Sequence, residues 1–312
     1  MMGLKESLRM INTYLAVLFS IYINDIDLIV ELITLLIKFA DDTKAANIIR
    51  SQEDQRVLQE CLDALMGWAA KWGMAFNAAK CKVMHVGRRN PRYEYKMGDH
   101  ILETTEVERD IGVLVNSNLK PSDQCAKAAK TANAVLGQIG RAFHYRDRWT
   151  FVRLYKLYVR PHLEFAVAAW SPWTAADIEC LEKVQKRAIN MVSGMGAMNY
   201  TERLKDLKLT TLVKRREETD MVETFKILNG ISDVKPDTWF TKNVTAEGGR
   251  TTRLAADPLS LRLAPARLEL RKNFFSVRVC DKWNNLPAEL KVSKNVQQFK
   301  NGYRTFTRDP PA

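Results

Sequence analysis

Histidine and cysteine are scarce in these 312 residues, with 4 His and 5 Cys. Cys61, Cys81, Cys125, Cys180 and Cys280 are odd in number, widely spaced, and form no C-x-x-C pair. That pattern makes a disulfide framework or a structural zinc site a poor expectation. The histidines, His85, His100, His144 and His162, are scattered, so packed or surface imidazoles account for them better than metal ligation. With 14 Gly, 10 Pro and no biased repeat, collagen and low-complexity disorder are excluded. Long apolar runs are missing too. The stretch from Tyr14 to Ile23 follows Lys5 and Arg9 but is too short to cross a bilayer, and Asn24, Asp25 and Asp27 close it without a small-residue cleavage site. It reads as a buried helix end or a core strand. No membrane partner is expected, and the cysteine usage fits an intracellular, cytoplasmic or nuclear, protein.

What is present is an ordinary globular composition, 46% hydrophobic and 27% charged, at a length that suits two domains. The formal charge is +12, and its placement is uneven. Residues 1–119 hold 14 Lys+Arg against 16 Asp+Glu, whereas residues 120–312 hold 34 against 20. The entire positive excess therefore lies in the second part. A polyanion partner is one source of such asymmetry, and a solvated basic surface is the other.

Periodicity gives the organisation. Two strand-like runs between Leu28 and Ile49 flank Lys38-Phe39-Ala40-Asp41-Asp42-Thr43-Lys44, which predicts a hairpin with the acids at its tip. Ser51 and Asp54 make a capping signature, and Leu58, Leu62, Leu65, Ala69 and Trp72 recur at helical spacing before Gly73. Short strands are expected over Lys80 to Val86, over Tyr93 to Leu102 on either side of Gly98-Asp99, and over Ile111 to Val115. Beyond Pro121 the period changes to about 3.6, predicting helices over Ser122 to Phe143, Trp149 to Phe165, Thr174 to Ser193 and Leu212 to Leu228. Lys242 to Pro265 reads as a linker, and Leu270 to Trp283 as a last helix stopped near Pro287. The fold class expected is α+β: short antiparallel strands with a packed helix over residues 1–119, a helical basic region over 120–240, and a linker with a C-terminal helical region over 241–312.

Adjacent carboxylates at a rigid hairpin tip suit one chemistry in particular. Nucleotidyl transfer uses two magnesium ions about 4 Å apart to activate an attacking hydroxyl and to stabilise the leaving pyrophosphate. An isolated Asp-Asp pair is more often a plain polar turn. Here Phe39-Ala40-Asp41-Asp42-Thr43 resembles the F/Y-A-D-D box of reverse transcriptases. Its neighbours resemble the LINE-type (non-LTR, jockey-like) retrotransposon enzymes. Leu18-Phe19-Ser20-Ile21-Tyr22-Ile23-Asn24-Asp25 is similar to the segment leading into the box. Trp72-Gly73-Met74-Ala75-Phe76-Asn77 and Lys80-Cys81-Lys82-Val83-Met84 are similar to the next palm motif, and Arg109-Asp110-Ile111-Gly112-Val113 to the strand pair after it. The likeness continues through Tyr158-Val159-Arg160-Pro161-His162-Leu163-Glu164, Lys214-Arg215-Arg216 with Phe225-Lys226, and Trp283-Asn284-Asn285-Leu286-Pro287.

The resemblance implies a palm followed by a thumb, an RNA template and a DNA primer as partners, and Mg2+ as cofactor. Asp41 would be the metal ligand and Asp42 its companion. Lys80 matches a lysine that protonates the departing pyrophosphate; a solvated lysine at a strand start is the equal alternative. Gly112 would help seat the primer end, or is an ordinary tight turn. Arg141, Arg146, Arg148, Arg153 and Arg160 would face phosphate, with Tyr145, Tyr155 and Tyr158 interleaved, and helical spacing assigns most of those tyrosines to the core. The family's other catalytic aspartate and its fingers precede the segment near Leu18, and residues 1–17 match none of them. Asp25 and Asp27 do not replace that aspartate. The expectation is thus a polymerase fragment, inactive alone and dependent on further N-terminal polymerase segments. The alternatives are a non-catalytic nucleic-acid-binding remnant and a decayed element product without selected function.

Overall fold

The structure is a computed structural model that describes residues 17–29, 35–40, 42–243 and 259–308. It mixes helices with short strands, an α+β composition, and divides into two compact units, residues 1–108 and 109–312.

In the first unit a hairpin and one long helix carry the core. Strands β1 (Leu35–Phe39) and β2 (Asp42–Ala46) pair antiparallel, with Phe39 opposite Asp42 and Lys38 opposite Thr43. The turn between them places Ala40 at φ +51°, a left-handed conformation that tight hairpin turns demand. Alternation sorts the side chains. Leu36 and Ala45 pack towards the cluster of Ile26, Cys61, Leu65, Trp68 and Ala69, while Leu35, Ile37 and Phe39 stand exposed on the other face. The helix α1 (Gln52–Lys71) begins as expected. The Ser51 side chain accepts from the Asp54 N–H, and the Asp54 carboxylate accepts from the N–H groups of Arg50 and Ser51 at 2.9 and 2.8 Å. The stretch ahead of the hairpin departs from expectation. Residues 17–22 are helical but leave Val17, Leu18 and Ile21 exposed, because the core instead takes Ile23, just after them, and Ile26 from the following turn, Asn24–Ile29.

The strands after α1 are shorter than their sequence suggests. Lys80 ends a single helical turn, Ala78–Lys80, and only Lys82–Val83 is extended as β3. β4 (Lys96–Met97) and β5 (His100–Ile101) form the expected hairpin, with Gly98 at φ +59° in its turn. β6 (Glu103–Thr104) then returns alongside β3 in parallel, because the hairpin between them has reversed the chain twice. The strands are therefore not all antiparallel.

Ahead of the helices, β7 (Val107–Asp110) and β8 (Val113–Asn116) pair. The predicted strand over Ile111 to Val115 is displaced, since Ile111 and Gly112 are the turn, at φ +44° and +87°. Helix α2 (Ser122–Ala142) follows. Residues 148–164 then run as α3 (Arg148–Leu154), a wide π turn over Tyr155–Val159 and α4 (Arg160–Glu164). The turn has two causes. Pro161 has no N–H to give the Leu157 carbonyl, and the Arg160 N–H bonds back to the Tyr155 carbonyl. The buried residues Phe151, Tyr155, Val159 and Leu163 recur at a strict spacing of four. An ideal α-helix would rotate that stripe by about 40° at each step, and the wide turn absorbs the drift.

These residues pack with α2, α5 (Val167–Trp170), α6 (Ala175–Asn190) and α7 (Tyr200–Asp206) around Leu136, Leu163, Leu181 and Leu212. α8 (Leu212–Leu228) stops at Asn229-Gly230 as predicted, with Gly230 at φ +63°. It joins a second cluster, Phe225, Trp283, Phe299 and Tyr303 among its members. After α9 (Pro236–Trp239), the predicted helix Leu270 to Trp283 is three short ones: α10 (Glu269–Lys272), α11 (Phe275–Arg278) and α12 (Cys280–Asn284). Phe274 is extended and breaks the run. α13 (Ala288–Lys291) and α14 (Val296–Phe306) are the last helices among the described residues. Of the expected linker Lys242 to Pro265, residues 244–258 lie outside the described residues; Lys242 bridges Leu261. No helix among the described residues is long and apolar enough to cross a membrane.

Two capping carboxylates tie helix stability to pH. Bonds from the Arg50 N–H and from Ser51 hold Asp54 below the usual aspartate value, and those from Thr150 do the same for Asp147, the cap of α3. Lowered folded values contribute stability above the ordinary value of 3.8 that is lost as pH falls through the depressed ones. Asp54→Asn and Asp147→Asn are therefore expected to flatten the acid limb of a stability–pH curve followed by helical circular dichroism. Superimposable acid limbs would contradict this.

Candidate catalytic hairpin and nucleic-acid interface

The predicted site residues separate into three places. Asp41 lies outside the described residues. Asp42 is the first residue of β2 and is exposed beside the turn. The hairpin is held from behind by Lys38, whose ammonium donates to the carbonyls of Ile23 and Asn24 at 3.2 and 3.3 Å and pairs with Asp27 at 2.8 Å. Asp25 accepts from the Trp68 indole N–H at 3.0 Å. Both upstream carboxylates are thus bound to structural partners. Lys80 is exposed at the end of its helical turn rather than at a strand start. Among the described residues no three of His, Cys, Asp or Glu gather where they could hold a metal ion.

Gly112 has a definite local task. It is the second residue of the β7–β8 turn, its carbonyl accepts from the Lys127 ammonium at 2.8 Å, and a Cβ placed on it would lie 3.1 Å from the Phe165 ring. Ile111 beside it lines a groove of about 670 Å³ that also includes Phe165, Trp170, Trp239 and Phe274. Gly112→Val combines a left-handed backbone with that crowding, so it should lower the unfolding free energy by about 2 kcal/mol. Denaturant melting that leaves the midpoint unchanged would contradict the assignment.

The five arginines do not form one set. Arg146 is half-buried and donates to the carbonyls of Phe143 and Gly140 at 3.1 and 2.8 Å, closing the C-terminus of α2. Arg160 is half-buried against Glu164 at 3.6 Å, and burial followed by the nearby Arg215 cation pulls its pKa down. Glu164 is also held by both nitrogens of the Arg215 fork. These two guanidiniums serve the fold. Arg141, Arg148 and Arg153 are exposed; Arg148 pairs with Asp206 at 2.9 Å, and Arg153 lies over the Trp149 ring at 3.9 Å.

The tyrosines divide differently from expectation. Only Tyr155 is core: its hydroxyl donates to Gln185 Oε1 at 2.6 Å, and burial pushes its pKa far up. Gln185 in turn donates to Tyr200 and to the Thr210 carbonyl, both at 3.0 Å. Tyr145 and Tyr158 are exposed. Trp149 belongs with them and was not singled out from the sequence, although a Trp four residues before an Arg on a basic helix was the available signal.

Comparison with known proteins gives one relation. The chain is similar to an RNA-directed DNA polymerase from the mobile element jockey of Drosophila funebris, with 23% identity over 168 residues. That stretch is 51% of this chain and 18% of the polymerase, so the chain matches only about a fifth of its relative's length. No family model matches, and no solved structure matches. The distant likeness supports a relation to retrotransposon reverse transcriptases.

Proposed function

We propose that the chain is a palm-and-thumb portion of a non-LTR retrotransposon reverse transcriptase, which grips a primer–template through its basic helical unit and does not extend the primer alone. The hairpin carries this reading: Phe39 pairs with Asp42 where β1 turns into β2, within the segment that resembles the F/Y-A-D-D box. The distant likeness to the jockey polymerase supports it. RNA template and DNA primer are the partners proposed. Asp41 and Asp42 would give part of a magnesium clamp, with Lys80 the candidate proton donor to pyrophosphate. The engagement of Asp25 by Trp68 and of Asp27 by Lys38 favours inactivity of the chain alone, since each already has a structural partner.

The test is template-directed nucleotide incorporation by the full chain with magnesium. The expected result is none above background. Incorporation that Asp41→Ala abolishes would overturn the inactivity and show that a complete clamp forms.

A further inference from the structure

Large exposed side chains recur along residues 145–158 of the second unit. Tyr145 is 79% exposed, Trp149 66%, Leu157 66% and Tyr158 56%. The wide turn at Tyr155–Val159 that keeps the buried stripe in register does the same for the opposite face. Trp149, Arg153, Leu157 and Pro161, at the same spacing of four, are all exposed in one row. The row is held from several sides. Asp147 caps the helix through the N–H groups of Trp149 and Thr150, Arg148 is tied to Asp206, and Tyr155 is anchored behind it by Gln185. Large apolar rings held in water at this density mark an interaction surface rather than scattered surface residues.

Charge identifies the occupant. Residues 141–164 contain Arg141, Arg146, Arg148, Arg153, Lys156 and Arg160 against only Asp147 and Glu164. Both acids are half-buried, the first spent on the helix cap and the second on Arg160 and Arg215. Arg146 and Arg160 serve the fold, so the exposed cations beside the rings are Arg141, Arg148 and Arg153. Flat rings bind other flat rings, and cations bind phosphate, so the complementary polymer carries both. In a duplex the base faces are already stacked on each other, and only unpaired nucleotides offer them.

We propose that this face is a stacking platform for single-stranded nucleic acid. Trp149 takes a base, Tyr158 on the flank of the same helical stretch takes a second, and Arg153 lies against one face of the indole while its charge meets phosphate. The assignment rests on the nucleic-acid reading above and narrows it from nucleic acid in general to unpaired strands.

Binding of the full chain to a labelled oligo-dT strand and to a blunt duplex of equal length, followed by anisotropy, tests it. Trp149→Ala and Tyr158→Ala should each weaken single-strand binding by about 5- to 150-fold while leaving duplex binding unchanged. Trp149→Phe should retain most of the affinity, and indole fluorescence should be quenched as the single strand binds. Equal losses on both ligands, or no loss on the single strand, would overturn the platform while leaving nucleic-acid binding intact. Failure of the wild-type chain to bind either ligand at low salt would overturn both. A self-associated chain that Trp149→Ala converts to monomer would instead assign the face to a second copy and overturn the proposal.

Discussion

Asp220→Ala should lower the unfolding free energy by about 3 kcal/mol, the cost of removing one partner from a largely buried ion pair. Asp220 on α8 is buried, and Arg278 on α11 holds both of its oxygens, through Nε at 2.9 Å and Nη2 at 2.8 Å. Arg278 Nη2 also donates to the Ala168 carbonyl at 2.7 Å, and Nη1 to that of Asn273 at 3.0 Å. One side chain thus fastens α5, α8 and α11 together. Replacing both partners by apolar residues, Asp220→Leu with Arg278→Met, should recover most of the loss, because burying a pair gains little over burying hydrocarbon. The reverse deletion behaves differently with pH. Burial already holds the Asp220 carboxyl above the usual range, with Arg278 pulling it down. Without Arg278 the folded value rises further, and a raised value contributes stability that is present at acid pH and lost as pH rises through it. The deficit of Arg278→Ala should therefore shrink towards pH 4. Denaturant melts at pH 7 and pH 4 check both statements, and equal deficits at the two pH values would contradict the second.

The second large effect concerns binding. Replacing Arg141, Arg148 and Arg153 together by alanine should weaken binding to nucleic acid of every sequence alike. It should also reduce the slope of log affinity against log salt by about 2 to 3. Arg146 is the informative contrast. Its Nε and Nη2 bind the Phe143 and Gly140 carbonyls, so Arg146→Ala should fray the end of α2 and lower the melting temperature while leaving the salt slope unchanged. A slope that falls as much for Arg146→Ala as for an exposed arginine would contradict the division of the arginines into structural and surface groups.

That division explains what the sequence could and could not convey. Local chemistry was legible: Ser51 with Asp54 opens α1, Thr174 caps α6, and Asn229-Gly230 closes α8, because each device acts within four residues of itself. Asn199 with Glu202 and Asn295 with Gln298 open α7 and α14 by the same means, and the predicted helices omit both. Phe299 and Tyr303 on α14 were a readable stripe. Roles set by chain reversal were not legible. Arg146 reaches the carbonyls of α2 only because residues 143–147 turn back on the helix end, and Glu164 meets Arg215 across 51 residues of sequence. Tyr155, Tyr158 and Tyr145 look alike in the sequence, and a wide turn before Pro161 decides which of the first two is core. At the hairpin the strand pairing was legible, but not the engagement of Asp25 by Trp68, a contact across 43 residues.

The most direct test of the account is the salt dependence of the full chain's affinity for an RNA–DNA primer–template. Between 50 and 200 mM monovalent salt, log affinity against log salt should be a straight line with a slope steeper than about −3 and equal for unrelated sequences. A flat line, or no binding at 50 mM, would contradict it.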